Sequence, residues 1–435
     1  MTENDRINAI IAENAPITLK EMAERDIAHF NASIRKRDML LGERYYRGEH
    51  DILRHVRTAI GEGGKQVEVE NLPNNRIVDN IYRVLVDQKV NYLLGKPITI
   101  RCADEARKER LTRIFNRGFF RMLRNIGEDV LNCGIGWLYV YPSSDGKPIF
   151  RHFKPYEVVP VWADIEHTRL EYAIRVFKVQ CYEGKRECFK KYAELYTKEG
   201  VRRYLVEGGR LKEEGGLMPY AVTNGKPAAF ERVPLIAFRS SSQEIPLIKS
   251  VKTLQDGLNS LISDFRNCME EDVRNTVLVI KNYDGEDLGQ FRRNLSVYGA
   301  VKVKTVDGSQ GGVETLSINI NADNYKAIID IFKKAIFENG RGYNTKDDRL
   351  SSNPNQMNIM SMYNDIDIDA NGMETEFAAS LEQLFELLEG EGATDVEAVF
   401  NRSLIMNESE IIDNIIKSKG IVDDEILKSK HPWVK

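Results

Sequence analysis

The sequence predicts an α+β chain of elongated, multi-part build, and three observations carry that reading. Helical periodicity dominates both ends of the chain. The middle changes to short β-branched and aromatic runs, and one helix is too long and too narrowly striped for an ordinary compact domain. In that helix Leu247, Val251, Leu254, Leu258, Leu261, Phe265 and Cys268 follow one another at spacings of 4, 3, 4, 3, 4 and 3. This is the heptad period of a helix packed lengthwise on other helices. From Pro246 to Asp272 it would extend about 40 Å at about 1.5 Å per residue, so it reads as a strut in an assembly.

Size and composition agree. A chain of 435 residues should form two or more domains or one elongated subunit. A hydrophobic content of 42% supplies a core and excludes general disorder. The net charge of −4 and a pI near 6.0 argue against a protein that clamps nucleic acid through surplus Lys and Arg. They leave room for one that DNA passes without sticking. Five cysteines, Cys102, Cys133, Cys181, Cys188 and Cys268, form no C-x-x-C pair, and an odd count fits reduced thiols in a cytosolic setting. The N-terminus lacks a basic segment followed by an apolar one, so no secretory signal is expected. No apolar run reaches the roughly 20 residues that span a bilayer.

Taken in order, residues 17–47 read as one helix with a sparse apolar stripe (Met22, Ile27, Phe30, Ile34), stopped at Gly48. The basic cluster Arg35-Lys36-Arg37 reads as a solvated face. Residues 74–94 form the strongest helix, with Val78, Tyr82, Val86, Val90 and Leu94 on one stripe. Gly95 stands at its C′ position and Pro97 forbids continuation. A helix over 105–132 follows. Between Gly136 and Phe238, runs at 137–141, 158–161, 172–177 and 193–196 read as strands of an antiparallel sheet. After the heptad helix come strands at 277–280 and 300–306 with a short helix at 288–298. Long helices follow over 323–338 and 356–388, then a strand over 396–400. The last helix is capped by Asn407 and closes at Gly420.

Motifs for chemistry are weak. Gly61-Glu-Gly-Gly-Lys65-Gln66 lacks the spacing, the Ser or Thr and the following helix of a phosphate loop. Asp367-Ile-Asp369-Ala-Asn371-Gly372 opens like a calcium loop, but its twelfth position is Ala378 and the helical pattern runs straight through it. His50 and His55 are the only close histidine pair, with no further ligand at metal spacing. No catalytic signature is present, so no enzyme activity and no cofactor are expected. The polar loop 340–355, carrying Lys346, Asp347, Asp348 and Arg349, is longer than a helix–helix connection needs. That length marks it as a functional candidate.

A series of segments, in order, resembles a known family. Tyr45-Tyr46-Arg47-Gly48 through Ile52-Leu53 is similar to the opening of portal proteins from long-tailed double-stranded DNA bacteriophages. So are Asn75-Arg76-Ile77, Val86-Asp87-Gln88-Lys89-Val90 and Tyr92-Leu93-Leu94-Gly95-Lys96-Pro97. Arg232-Val233-Pro234-Leu235-Ile236, Lys281 to Gly285, Asn294-Leu295 and Val301-Lys302-Val303 continue the resemblance. These are packing and turn motifs, so their order and spacing carry the specificity.

The resemblance implies a dodecameric ring at one capsid vertex that passes the genome and connects head to tail. It implies an α/β wing over 1–245, a two-helix stem at 246–274 and 319–339, and a small α/β clip at 275–318. A tunnel loop at 340–355, a long wing helix with its return strand at 356–405, and the start of a helical crown at 406–435 complete the division. Lys346, Asp347, Asp348 and Arg349 would border DNA. The heptad residues Leu247, Val251, Leu254, Leu258, Leu261 and Phe265 would form the ring-assembly seam, and Asp284, Glu286, Asp287, Arg292 and Arg293 a docking surface. The implied partners are further copies of the chain, double-stranded DNA, the terminase large subunit, major capsid and scaffolding proteins, and a head-completion or tail-adaptor protein, with no membrane. The implied location is the virion vertex, reached from the host cytoplasm during assembly. The chain departs from the family pattern by stopping at Lys435, where further crown helices are normal. Two other classes fit the residues alone: a nucleic-acid-processing enzyme with a coiled-coil arm, and a scaffold or adaptor without a channel.

Overall fold

Ten α-helices and seventeen strands are present among the residues described by the computed structural model: 17–60, 65–68, 73–143, 145–223, 226–274, 277–281, 312–316, 322–344, 356–390, 395–402, 408–420 and 422–429. The helices are α1 (Leu19–Ala32), α2 (Ile34–Tyr46), α3 (Ile81–Leu94), α4 (Glu105–Ile114), α5 (Arg117–Cys133), α6 (Ile248–Arg274), α7 (Ala322–Asn339), α8 (Gln356–Glu389), α9 (Glu408–Lys417) and α10 (Asp424–Ser429). The strands begin with β1 (Thr58–Ile60), β2 (Gln66–Glu68), β3 (Thr99–Arg101), β4 (Ile135–Pro142), β5 (Pro148–Phe153) and β6 (Val158–Trp162). They continue with β7 (Leu170–Glu183), β8 (Arg186–Tyr196), β9 (Gly200–Glu207), β10 (Arg210–Glu213), β11 (Met218–Pro219) and β12 (Ala221–Thr223). The last are β13 (Lys226–Ala228), β14 (Leu235–Arg239), β15 (Val277–Lys281), β16 (Gly312–Leu316) and β17 (Glu397–Val399). The chain divides into one unit of residues 1–49, 80–252 and 334–435, and a second of residues 50–79 and 253–333.

The larger unit is mixed helix and sheet. Its main sheet runs β10-β9-β8-β7-β6, antiparallel throughout, with β11 added to β9. A second sheet runs β14-β4-β5. Alternation along the strands sends Trp137, Phe153, Val159, Val161, Ile174, Leu195 and Tyr204 into one core, joined by Ala23, Ile27 and Phe30 of α1. Trp137 stacks on Trp162 at 5.9 Å and Tyr139 on Phe153 at 5.3 Å. Full burial of such side chains is worth about 1.5–3 kcal/mol each. Phe119, Leu123, Ile126 and Val130 give α5 its buried face. It approaches α3 so closely that a Cβ at Gly127 would lie 2.6 Å from Leu94 Cδ1.

The smaller unit holds β1 and β2, paired from Thr58↔Glu68 to Ile60↔Gln66, and β15 with β16, paired from Val277↔Leu316 to Lys281↔Gly312. It also takes most of α6 and α7.

Several boundaries depart from the sequence expectation. The helix expected over 17–47 is two helices, because Ser33 takes an extended conformation. Its Oγ accepts the Lys36 N–H at 3.1 Å and donates to the Phe30 carbonyl at 2.7 Å, closing one helix and opening the next. The helix expected over 105–132 likewise breaks, with Asn116 capping α5 through the N–H groups of Gly118 and Phe119. Residues 74–80 are not helical, since Asn80 caps α3 and the preceding backbone has other partners, described below. Gly95 keeps right-handed dihedrals, so it closes α3 without the left-handed turn expected of it. Both β7 and β8 run well past their expected limits into charged sequence. The β16 strand and the α10 helix had not been expected. The strand expected at 300–306, the helix at 288–298 and the Asn407 cap lie outside the described residues.

Candidate functional site

The heptad helix is buried on a side that its seam does not predict. In the smaller unit Gln255, Asn259, Ser263 and Asn267 recur every fourth residue, and all are 6% exposed or less. Each meets the backbone of the segment from Asn75 to Asp79. Asn267 Oδ1 accepts the Asn75 N–H at 2.7 Å, Ser263 Oγ the Ile77 N–H at 3.0 Å, and Asn259 Oδ1 the Asp79 N–H at 3.1 Å. Gln255 Nε2 donates to the Asp79 carbonyl at 2.7 Å. Two extended residues advance about 6.6 Å and four helical residues about 6.0 Å, so alternate N–H groups find every fourth side chain. The ladder supplies partners that a strand edge would otherwise supply, which buried backbone requires. Asn259 Nδ2 also meets Nδ1 of the buried His50 at 2.8 Å.

The heptad seam lies on roughly the opposite face, given about 100° per residue. Val251 and Leu258 are fully buried within a single chain, while Leu247, Leu254, Leu261 and Phe265 remain half-buried. Part of the cover comes from α7. Phe265 lies 4.9 Å from Tyr325, and a Cβ at Gly257 would fall 2.5 Å from Phe332. The two contacts run in opposite chain directions, so α6 and α7 are antiparallel. Beyond them Ile328 and Ile331 of α7 stay 41% and 64% exposed.

In the larger unit, residues 341–343, which follow α7, are held by α3 and α8. Gln88 Nε2 donates to the Tyr343 carbonyl at 2.8 Å, and its Oε1 accepts the Tyr343 N–H at 3.4 Å. The buried Lys89 donates to the Arg341 carbonyl at 3.2 Å and to Asp369 Oδ2 at 2.6 Å. Burial pushes the Lys89 ammonium below its ordinary range, and Asp369 partly opposes that. A Cβ at Gly342 would come 2.3 Å from Leu85 Cδ2, so any side chain there would force Leu85 to shift. Tyr363 ties the group together, its ring 4.8 Å from Tyr343 and 5.9 Å from Tyr92. The Tyr92 hydroxyl donates to Asp367 at 2.9 Å, and Arg402 pairs with both Asp367 and Glu374. Burial, with Asp367 second, pushes Tyr92 up to about 12. Asp367 and Asp369 therefore serve ion pairs on a continuous helix, and their calcium-like spacing has no loop to support it.

The start of α6 has its own anchor in the larger unit. Glu244 and His167 are both non-glycine residues with positive φ, 53° and 58°. His167 Nδ1 lies 2.7 Å from Glu244 Oε1, Arg35 pairs with the same carboxylate, and the Leu247 N–H donates to the Leu131 carbonyl at 2.9 Å. Burial would raise the Glu244 carboxyl, but His167 and Arg35 hold it below its ordinary value.

Among the described residues no group of three or more His, Cys, Asp and Glu is placed to hold a metal ion. No helix among them is long and apolar enough to cross a membrane. Lys346, Asp347, Asp348 and Arg349, expected to border DNA, lie outside the described residues, as do Asp284, Glu286, Asp287, Arg292 and Arg293, expected to dock partners. The polar ladder escaped sequence reasoning, although Gln255, Asn259, Ser263 and Asn267 print an uninterrupted four-residue period opposite the seam.

A long helix whose apolar seam is only partly covered leaves apolar surface open on this chain. The chain belongs to the family of phage portal proteins of SPP1 Gp6-like type, whose model matches residues 25–435, and it is a head–tail connector protein. It is 25% identical to the portal protein of Clostridium phage phiCD119 over 417 residues, covering 92% of this chain and 90% of that protein. It is 26% identical to the portal protein of Bacillus phage SPP1, covering 100% of this chain and 88% of that protein. Among solved structures, the neck of a native GTA particle computed with C12 symmetry has 11% identity and a TM-score of 0.39. That match covers 81% of this chain and 89% of the other, a distance too great to read fold or assembly across.

Proposed function

We propose that twelve copies close a ring at one capsid vertex and pass double-stranded DNA along its axis. In this reading α6 and α7 are the stem, residues 275–318 the clip, the loop 340–355 borders DNA, α8 backs the loop, and residues 406–435 begin the crown. Terminase and, later, a head-completion or tail-adaptor protein dock at the clip, with Asp284, Glu286, Asp287, Arg292 and Arg293 as candidates for the contact. Capsid and scaffolding proteins meet the wing. The chain contributes no catalytic step, so energy for DNA movement comes from the partner motor. Assembly begins in the host cytoplasm and ends in the virion.

One observation carries this reading. Leu254, Leu261 and Phe265 remain only partly buried on a helix of 27 residues, and Ile328 and Ile331 stay exposed on the neighbouring one. Apolar surface of that kind is stabilised when further copies cover it. A mildly acidic chain suits a conduit, because many basic contacts per subunit would hold DNA by counterion release.

The test is Leu254→Asp combined with Leu261→Asp, read by size-exclusion chromatography with light scattering. Each buried charge costs several kcal/mol, so the ring should be lost while the circular-dichroism spectrum keeps its helical signal. Full rings from a folded double variant would remove the seam from the assembly contact.

A further inference from the structure

The β7–β8 hairpin outruns its sheet. β6 pairs with β7 only between Leu170 and Arg175, and β9 pairs with β8 only between Tyr192 and Tyr196. Residues 176–191 therefore form a ribbon of two strands. Glu183 faces Arg186, leaving the two-residue turn Gly184-Lys185 with Gly184 at φ 65°. Positive φ at the first central position is the primed turn that suits the twist of paired strands. A ribbon of two strands is marginal in water unless something else holds it. Little apolar burial does so here, since Val179, Tyr182 and Phe189 are 39%, 66% and 63% exposed. The Lys190–Glu183 ion pair at 3.4 Å is also exposed, and such pairs contribute little.

At this place Cys181 and Cys188 stand directly opposite one another, their sulfur atoms 3.7 Å apart. Directly opposed residues of an antiparallel pair have Cα atoms about 4.5 or 5.5 Å apart. Both spacings fall within the roughly 4.4–6.8 Å that a disulfide spans. To bond, the sulfurs would have to close from 3.7 Å to about 2.0 Å. The other cysteines have different surroundings. Cys133 is buried against the Met39 carbonyl, and Cys102 lies against Asp395.

We infer that Cys181 and Cys188 form a reversible disulfide that staples the ribbon, open as two thiols in a reducing compartment and closed in an oxidising one. A chain of a virus particle meets both, reduced where it is made and oxidised outside the cell. With glutathione disulfide as oxidant, the thiolate of one cysteine attacks a glutathione sulfur and expels the first glutathione thiolate. The second cysteine, deprotonated, attacks the first cysteine's sulfur and expels the other. Two cysteine thiols lose two electrons, glutathione disulfide gains them, and the two protons end on the two glutathione thiols. Burial and then Cys181 hold the Cys188 thiol above its ordinary range, so exchange should quicken as pH rises.

The experiment uses the purified full chain, first reduced, then incubated with glutathione disulfide and quenched by alkylation under denaturing conditions. Wild type should lose two hydrogens in intact mass, and its free thiols should fall from five to three, with Cys181 and Cys188 protected in the peptide map. Cys181→Ser should instead carry one glutathione on Cys188. Trypsin cutting after Lys185 or Arg186 should give fragments that stay joined without reductant and part with it. Alkylation of both cysteines after oxidation, a separate glutathione on each, or fragments that part without reductant would each overturn the assignment.

Discussion

Both backbone groups of Asp79 are satisfied by side chains of one helix: its N–H donates to Asn259 Oδ1 at 3.1 Å, and its carbonyl accepts from Gln255 Nε2 at 2.7 Å. Neither Asn259 nor Gln255 is exposed. The arrangement turns an otherwise awkward polar row on a long helix into a rail for the chain that precedes α3.

The rail should be measurable one rung at a time. Asn259→Ala strands the Asp79 N–H and removes one hydrogen bond of His50, at a cost of about 1–3 kcal/mol. Hydrogen exchange should quicken at the Asp79 amide first and at Ile77 less. Unchanged protection at Asp79 would mean that the ladder does not hold the segment.

Lys89 and Asp369 should respond asymmetrically. Asp369→Ala leaves the Lys89 ammonium, 4% exposed, without its counter-charge, and breaking a buried pair in that way costs about 3–5 kcal/mol. Lys89→Met removes the buried charge and leaves Asp369 half-exposed and still near Arg341, so it should cost less. Denaturant titration of both variants checks the order, and equal or inverted losses would contradict it.

Acid should loosen the anchor at the start of α6. The folded Glu244 carboxyl is held below its ordinary value, so the folded state binds fewer protons than the unfolded chain. Its stabilisation is fully present above the unfolded value near pH 4.3. It is lost as pH falls through the lower folded value. Glu244→Gln should flatten the dependence of melting temperature on pH in that acid range. A variant whose slope matches wild type would exclude Glu244 as the titrating group.

For the loop 340–355, Lys346→Ala with Arg349→Ala should leave ring assembly intact and impair packaging or retention of DNA. Removing Asp347 and Asp348 should slow movement by making the loop adhesive. Charge contacts are screened within about 8 Å at physiological salt, which favours sliding over holding when both signs are present. Packaged genome length in particles carrying each variant is the measurement, and wild-type length with both would make the loop a passive connector.

The sequence by itself determined the kind and order of the long elements. Heptad spacing placed α6 within two residues of its observed limits, and continuous periodicity placed α8 from Gln356. Ordered packing motifs reached the family, because local period and turn chemistry are written in neighbouring residues. Shorter breaks were not legible: Ser33 and Asn116 read as ordinary helix positions until their side chains are seen capping. Tertiary structure alone decided which polar residues are buried and what they meet. Asn259 and Asp79 are 180 residues apart, and Lys89 and Asp369 are 280 apart. No local pattern encodes a hydrogen bond across such a separation. Cys181 and Cys188 are only seven residues apart, and their facing follows from the two-residue turn Gly184-Lys185, which sets the register once β7 and β8 run that far.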